Sequence, residues 1–140
     1  MKLVVDANIL FSALLRDGIT RKIWFSPEIV LYSPGHLLME FDAKRLEILG
    51  KFDGSEKEFE GLGDLLCNQV TVFSDEYLKP YLPAASSLSR DSKDWLYLAA
   101  ALYCDADIWS RDKGFAGQGR VRIWSTTDLM RYLFKPAQES

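Results

Sequence analysis

Four acidic residues could act together in this chain, because each borders a segment expected to form a strand or a helix. Asp6 directly follows a short apolar run, and Asp112 comes shortly after a second one. Glu40 lies among apolar residues with helical spacing, and Asp94 opens an alanine-rich helical segment. Carboxylate oxygens are the ligands that Mg²⁺ and Mn²⁺ prefer. Four carboxylates that meet at one place could therefore hold such a cation.

Each of these acids also has an ordinary structural explanation. Asp6 could cap a helix, Glu40 could be a solvated helix position, and Asp112 could belong to a turn. Asp91 could cap the alanine-rich helix, with Asp94 at the third helical position, where a carboxylate suits the helix dipole. Both lie on one face of that first turn, so either could face a metal. Asp94 is the better ligand candidate because an apolar run follows it directly.

The combination of the four positions is more informative than any single acid. Two like charges 4 Å apart repel each other by ~4 kcal/mol at an effective dielectric constant of ~20. A cluster of three or four carboxylates would therefore be unstable when empty. Either some of the carboxyl groups are protonated, or a divalent cation binds among them. In the second case, hard oxygen ligands would select Mg²⁺ or Mn²⁺ over zinc.

The elements that must position these acids alternate between strand and helix. Apolar runs predict five strands, at 2–5, 29–32, 70–73, 107–110 and 121–124. Apolar residues at helical spacing predict helices at 7–15, 95–102 and 129–134. A further helix should begin at Ser33-Pro34 and run to 49, where Gly50 is a plausible stop. Another should begin at Ser55, which forms a capping box with Glu58. Residues 75–90 contain Pro80 and Pro83, and we expect a short helix there followed by a loop.

This alternation predicts an α/β protein with a central parallel sheet of about five strands and helices on both faces, a three-layer α/β/α arrangement. We expect a single domain over residues 1–134, with 135–140 as a loose tail. Ligands of such sheets bind beyond the carboxyl ends of the strands, at the topological switch point. Asp6 and Asp112 should both reach that edge.

Charge and composition limit the classes of function. The 140 residues include 17 basic and 20 acidic ones, for a net charge of −3. This balance argues against bulk electrostatic binding to nucleic acid, which favours a basic surface. It remains compatible with a nucleic-acid enzyme whose acids gather at a metal site.

The few cysteine and histidine residues argue against a zinc protein. Cys67, Cys104 and the single His36 are fewer than the four ligands of a structural zinc site. From the residues that follow Met1 we expect no secretory leader, and the given sequence contains no run of ~20 apolar residues that could span a membrane. We therefore expect a cytoplasmic protein with reduced thiols.

At its acidic residues the sequence resembles the PIN-domain nucleases, especially the small VapC-like toxins of toxin–antitoxin pairs. The resemblance follows the chain in order through 3–10, 38–41, 91–102, 106–115 and 123–129. It implies that the family's four metal-binding and catalytic acids are Asp6, Glu40, Asp94 and Asp112. It also implies that Asn8 and Ser110 orient them, and we add Asp91 to this supporting group because it shares a helix face with Asp94.

The resemblance further implies a metal-dependent endoribonuclease that hydrolyses single-stranded RNA. Mg²⁺ or Mn²⁺ would lower the pKa of a water molecule and stabilise the charge of the transition state. Basic residues that flank the acids could hold backbone phosphates, namely Arg16, Lys93, Arg111 and Lys113. The resemblance also implies two kinds of assembly. One is a homodimer, which we expect to form through the second and third predicted helices. The other is a complex with an antitoxin protein.

Other classes of function fit the sequence less well. A Ser-His-Asp or Cys-His site would have to use His36, which we interpret as structural because it stands beside a helix start. A haloacid-dehalogenase-type phosphatase needs a second Asp where Asn8 stands. A flap-type DNA nuclease needs large added segments. The serious alternative is a non-catalytic PIN-fold module that binds nucleic acid or protein.

Overall fold

A five-stranded parallel sheet forms the centre of the protein, in a computed structural model that describes residues 1–16, 18–115 and 117–134. Its strands are β1 (Lys2–Val5), β2 (Val30–Pro34), β3 (Val70–Phe73), β4 (Asp107–Trp109) and β5 (Ile123–Trp124). The strand order is β3-β2-β1-β4-β5, and every neighbouring pair is parallel. The predicted sheet is therefore confirmed.

Helices cover both faces of this sheet. They are α1 (Ala7–Leu15), α2 (Ile19–Trp24), α3 (His36–Lys51), α4 (Glu56–Asn68), α5 (Asp75–Leu78), α6 (Leu82–Leu88), α7 (Trp95–Cys104) and α8 (Thr126–Leu133). Short 3-10 turns occupy Lys79–Tyr81, Ser92–Asp94 and Lys113–Phe115. None of the helices in the described ranges is long and apolar enough to cross a membrane.

Strand β1 connects the two halves of the core because its side chains alternate between the sheet faces. Leu3 and Val5 pack into one apolar cluster, with α1 to α4 and α8. Val4 packs into the other, with α5 to α7. All three side chains are fully buried. The protein therefore has the predicted three layers, and β1 is held from both sides.

The topological switch point lies between β1 and β4. After β1 the chain builds outward through β2 and β3, and it then returns to place β4 on the other side of β1. Val5 at the end of β1 pairs with Trp109 at the end of β4. The residues that follow these two strands consequently emerge at the same edge of the sheet.

Helix α4 begins with the predicted capping box. The Ser55 hydroxyl accepts a hydrogen bond from the Glu58 backbone N–H at 3.1 Å, and the Glu58 carboxylate accepts one from the Ser55 backbone N–H at 3.1 Å. Two backbone donors that the helix itself cannot satisfy are thus paired.

Proline placement explains two errors in the predicted boundaries. We expected Pro34 to open a helix, but it ends β2, and α3 begins at His36. Pro34 lies beyond the last residue of β2 that pairs with β1, so its missing N–H breaks no bond to β1. The expected loop before residue 90 is also wrong, because Pro80 and Pro83 lie in the first turns of helical segments, where proline is tolerated.

Several other predicted elements differ slightly from the observed ones. The short helix α2 was not predicted, and β5 is confined to Ile123–Trp124 rather than 121–124. Helix α3 continues through Gly50 to Lys51. The expected tail at 135–140 lies outside the described residues.

We predict that Ser55→Ala lowers the free energy of unfolding by about 1 kcal/mol, because it removes one half of the capping box. Chemical denaturation measures this change. The matched control is Ser87→Ala on α6, an exposed position within a helix, which should leave stability almost unchanged. Equal effects of the two substitutions would contradict a capping role for Ser55.

Candidate active site

A cleft of about 600 Å³ opens at the carboxyl edge of the sheet, and all four acids line it. Asp6 reaches it from the end of β1, and Asp112 from just beyond β4. Glu40 enters from the second turn of α3, and Asp94 from the residue that precedes α7. The structure thus brings together side chains that are widely separated in sequence.

Asp6 combines a capping role with its place in the cleft. One carboxylate oxygen accepts a hydrogen bond from the Ile9 backbone N–H at 3.1 Å, which caps α1. The other accepts a short hydrogen bond from the Ser110 hydroxyl. The capping interpretation and the site interpretation of Asp6 are therefore compatible.

Burial raises the pKa of Asp6 above its ordinary value, since the side chain is only 5% exposed. The hydrogen bonds from Ser110 and Ile9 oppose this shift, because they favour the ionised form. The negative charges of Asp112 and Glu40 add to it. The net result is a raised pKa.

Ser110 links two of the acids. While its hydroxyl donates to Asp6, its oxygen accepts a hydrogen bond from the Asp112 backbone N–H at 2.9 Å. Asp112 also accepts a hydrogen bond from the Gly114 backbone N–H at 2.8 Å. Ser110 is buried, so this link is shielded from water. Ser110, one of the predicted supporting residues, thus contacts both Asp6 and Asp112.

Asp94 is held by a residue that the sequence interpretation missed. The Ser89 hydroxyl donates a hydrogen bond to Asp94 Oδ2 at 2.8 Å. Burial, and then the charges of Asp112 and Asp91, raise the pKa of Asp94, whereas the bond from Ser89 lowers it. Asp94 is the third residue after the capping residue Asp91, but it lies in a 3-10 turn that ends just before α7.

Gly114 leaves space between two of the carboxylates. A Cβ atom on this residue would lie 3.1 Å from Asp112 Oδ1 and 3.2 Å from Asp94 Oδ2. These distances are shorter than ordinary van der Waals contact, so any larger residue would displace one or both carboxylates. Gly114 thus keeps two acids close to each other.

Glu40 has two partners that bind the same oxygen. The Tyr97 hydroxyl donates a hydrogen bond to Oε1 at 2.8 Å, and His36 Nε2 lies 3.1 Å from that atom. His36 was predicted to be structural, and Tyr97 was not predicted to belong to the site. Helical spacing could have identified both, because His36 precedes Glu40 by four residues and Tyr97 follows Asp94 by three.

The two remaining predicted supporting residues line the cleft but are not bonded to the four acids. Asn8 is exposed there, and its side chain makes no hydrogen bond within the described part of the chain. Asp91 caps the 3-10 turn by accepting the Lys93 backbone N–H at 3.0 Å. Both could contact a ligand directly rather than orient an acid.

Among the side chains that the structure describes, the lysines Lys44 and Lys93 contribute to the cleft wall. Lys93 was a predicted phosphate contact, whereas Lys44 on α3 was missed. Arg16 and Arg111 are exposed and do not line the cleft. The side chain of Lys113 lies outside the described part of the structure.

Although the acids share one cleft, they do not form a closed ligand set. Within the described ranges, no group of three or more His, Cys, Asp or Glu side chains is arranged to hold a metal ion. The arrangement is an open cleft lined by oxygen donors. It differs from the compact cages that bind structural metals.

The fold agrees with the comparisons to known proteins. A family model described as the PIN domain matches residues 4–134, so the chain belongs to the PIN-domain family, whose members are generally nucleases. Among solved structures, a chain of a toxin–antitoxin complex from Klebsiella pneumoniae has a TM-score of 0.65. It is 13% identical, and the match covers 89% of this chain and 97% of that one. No curated protein sequence matches significantly.

We predict that Asp6→Asn stabilises the metal-free protein near neutral pH. The raised pKa means that the folded protein binds the Asp6 proton more tightly than the unfolded chain does. Stability therefore falls as the pH rises from the ordinary value of 3.8 through the folded pKa. Asparagine keeps the cap without a charge, so we expect a gain of about 1 kcal/mol, or roughly 4 °C in Tm.

Thermal denaturation in EDTA at about pH 7 and about pH 4 measures this effect. The gain should shrink at the lower pH, where aspartate is increasingly protonated in both states. Asp53→Asn, at an exposed position, is the control and should change Tm little at either pH. A loss of stability in Asp6→Asn at neutral pH would contradict the prediction.

Proposed function

We propose that this protein is a metal-dependent endoribonuclease that hydrolyses phosphodiester bonds of single-stranded RNA. The observation that carries the proposal is the convergence of Asp6, Glu40, Asp94 and Asp112 on one cleft at the switch point of a PIN-domain sheet. Such a cleft is the expected place for a ligand in an open parallel sheet.

The donor atoms of the cleft fit Mg²⁺ or Mn²⁺. They are carboxylate oxygens. Burial first, and then the charges of neighbouring acids, raise the pKa values of Asp6 and Asp94, and a cation would favour their ionised forms. Mg²⁺ keeps several of its waters and takes only one or two carboxylates together with substrate phosphate. An open set of acids, with no closed group of three in the described ranges, matches this requirement.

In this proposal the four acids have different tasks. Asp6 and Asp112, linked through Ser110, are the central ligands, and Glu40 and Asp94 bind the metal directly or through water. When bound, the cation supplies Lewis-acid stabilisation of the phosphate and a water of lowered pKa. The protein itself contributes fixed carboxylate positions, which reduce the reorganisation needed when substrate binds.

Lys44 and Lys93 are the proposed contacts to RNA phosphates beside the acids. Both line the cleft, so each could neutralise a phosphate close to the site of hydrolysis. With a net charge of −3, the protein has no excess of positive charge for general binding to nucleic acid. Local contacts of this kind would therefore hold the substrate.

We further propose that the protein is the toxin of a toxin–antitoxin pair and forms a homodimer. The first part is supported by the similar chain from a toxin–antitoxin complex. The second is supported by exposed apolar residues on α3 and α4, where a dimer was predicted: Met39, Leu46 and Leu65 are 68%, 81% and 58% exposed. A second subunit would remove such side chains from water.

The first experiment is RNA cleavage by purified protein with Mn²⁺ or Mg²⁺, with and without EDTA. We expect cleavage of labelled single-stranded RNA that EDTA abolishes. Asp94→Asn should lower the rate by roughly 100-fold, the upper end of the loss seen when even an outer partner of a metal ligand is removed. Asp53→Asn, an exposed position away from this cleft, should cleave normally.

The outcomes separate the proposal from its alternatives. Equal cleavage by wild type and Asp94→Asn would show that the activity arises elsewhere or from a contaminant. If partner-free protein cleaves none of several RNAs but still binds them, the non-catalytic binding module is the better explanation.

We also predict that Gly114→Ala weakens Mn²⁺ binding by roughly tenfold, a loss typical of disturbing the surroundings of a metal ligand. The added Cβ would displace the carboxylates of Asp112 and Asp94. Isothermal titration calorimetry measures the affinity without any need for activity. Gly119→Ala is the matched control, because a Cβ there meets nothing within 4 Å. Unchanged affinity in Gly114→Ala would show that the spacing is not important for the cation.

A further inference from the structure

Tyr97 lies where three acid-bearing elements meet. It belongs to α7, three residues after Asp94, which directly precedes this helix, and both residues line the cleft. The side chain is 4% exposed, yet it forms part of the cleft wall. A tyrosine in such a position needs a partner for its hydroxyl group.

The hydroxyl group finds its partners on two other elements. It donates a hydrogen bond to Glu40 Oε1 on α3 at 2.8 Å. The backbone N–H of Ala7, the residue directly after Asp6, approaches the same phenolic oxygen. Tyr97 thus connects α7, α3 and the start of α1, which are the elements next to Asp94, Glu40 and Asp6.

The contacts of Glu40 leave one of its oxygens for a ligand. Oε1 is shared by the Tyr97 hydroxyl and by His36 Nε2, and the His36 ring meets the Tyr97 ring edge-on at 6.2 Å between centroids. Within the described residues, Oε2 makes no hydrogen bond, and Glu40 lines the cleft. The glutamate is therefore oriented as well as restrained.

Glu40 needs such a restraint because it is a long side chain that is 35% exposed. A free glutamate would lose rotamer entropy when it binds a cation, and this loss would weaken binding. A hydrogen bond to an ionised group is among the stronger kinds in proteins, so it can select one rotamer in advance. The His36 ring, which lies beside the same oxygen, further limits the movement of the carboxylate.

We propose that Tyr97 is a positioning residue that holds Glu40 through Oε1 and directs Oε2 to the divalent cation. The proposal rests on the proposed metal-dependent hydrolysis and adds to it a residue outside the acidic set. It identifies the neutral hydroxyl of Tyr97, beside His36, as a hydrogen-bond donor that fixes Glu40 Oε1. A neutral donor adds no positive charge that would compete with the metal.

The test uses Tyr97→Phe, which keeps the ring and removes only the hydroxyl group. We expect Mn²⁺ affinity to fall by roughly tenfold, the lower end of the loss seen when an outer partner of a metal ligand is removed. In RNA cleavage, kcat should fall while KM stays unchanged, because the hydroxyl acts on the metal site and not on the RNA. Circular dichroism and Tm report whether the fold is retained.

The matched control is Tyr103→Phe on the same helix. Tyr103 is 37% exposed, and its ring packs against Phe73 at 5.1 Å between centroids, away from the acids. This variant should bind Mn²⁺ and cleave RNA as wild type does.

A double-variant cycle shows whether Tyr97 acts through Glu40. If it does, Tyr97→Phe adds almost nothing to the loss of Mn²⁺ affinity already caused by Glu40→Gln. Additive losses would overturn the proposal, as would wild-type affinity in Tyr97→Phe. Mn²⁺ binding without RNA cleavage would overturn the proposed function alone and leave this test valid. A wild-type protein that binds no Mn²⁺ would overturn both.

Discussion

The structure depends on keeping several like charges close together at one edge of a sheet. Neutral donors hold them: the hydroxyl groups of Ser110, Ser89 and Tyr97, and the backbone N–H groups of Ile9 and Gly114. In the described ranges, no lysine or arginine forms a salt bridge with any of the four acids. Hydrogen bonds from neutral groups fix a carboxylate without cancelling its charge, so the cleft keeps a field suited to a cation.

The rest of the fold is built to withstand that repulsion. Asp6 follows β1, which lies at the centre of the sheet and sends its side chains into both halves of the core. A strand held from both faces cannot shift to relieve strain at its end. The acids on α3 and before α7 are anchored in the same way by helices that pack against the sheet. Functional sites of this kind commonly lower the stability of a protein, and they persist because function requires the arrangement.

Membership of the PIN-domain family accounts for the sheet order and the place of the cleft, but not for how each acid is held. A structure that is 13% identical over nearly the whole chain preserves the fold. The contacts around the acids depend on individual side chains, which can change while a fold persists. Ser89, Tyr97, His36 and Gly114 therefore have to be understood from this chain. In this chain they contact or space the acids of the cleft, on a fold that the family shares.

The sequence by itself determined the alternation of strands and helices, and it predicted that Asp6 and Asp112 reach the carboxyl edge of the sheet. These features follow from local apolar spacing, capping residues and the positions where strands end, as the capping box at Ser55 and Glu58 illustrates. The predictions based on proline were wrong at residue 34 and for the loop expected within 75–90. The effect of a proline depends on whether a neighbouring residue needs the N–H that it lacks.

Only the tertiary structure decided how the acids are supported. The bond from Ser110 to Asp6 spans 104 residues of sequence, and that from Tyr97 to Glu40 spans 57. Periodicity describes which face of one element a residue occupies, but it carries no information about which side chain of another element will meet it. That pairing is set when helices pack on the sheet, and the hydrogen bonds that hold the charged cleft form only then.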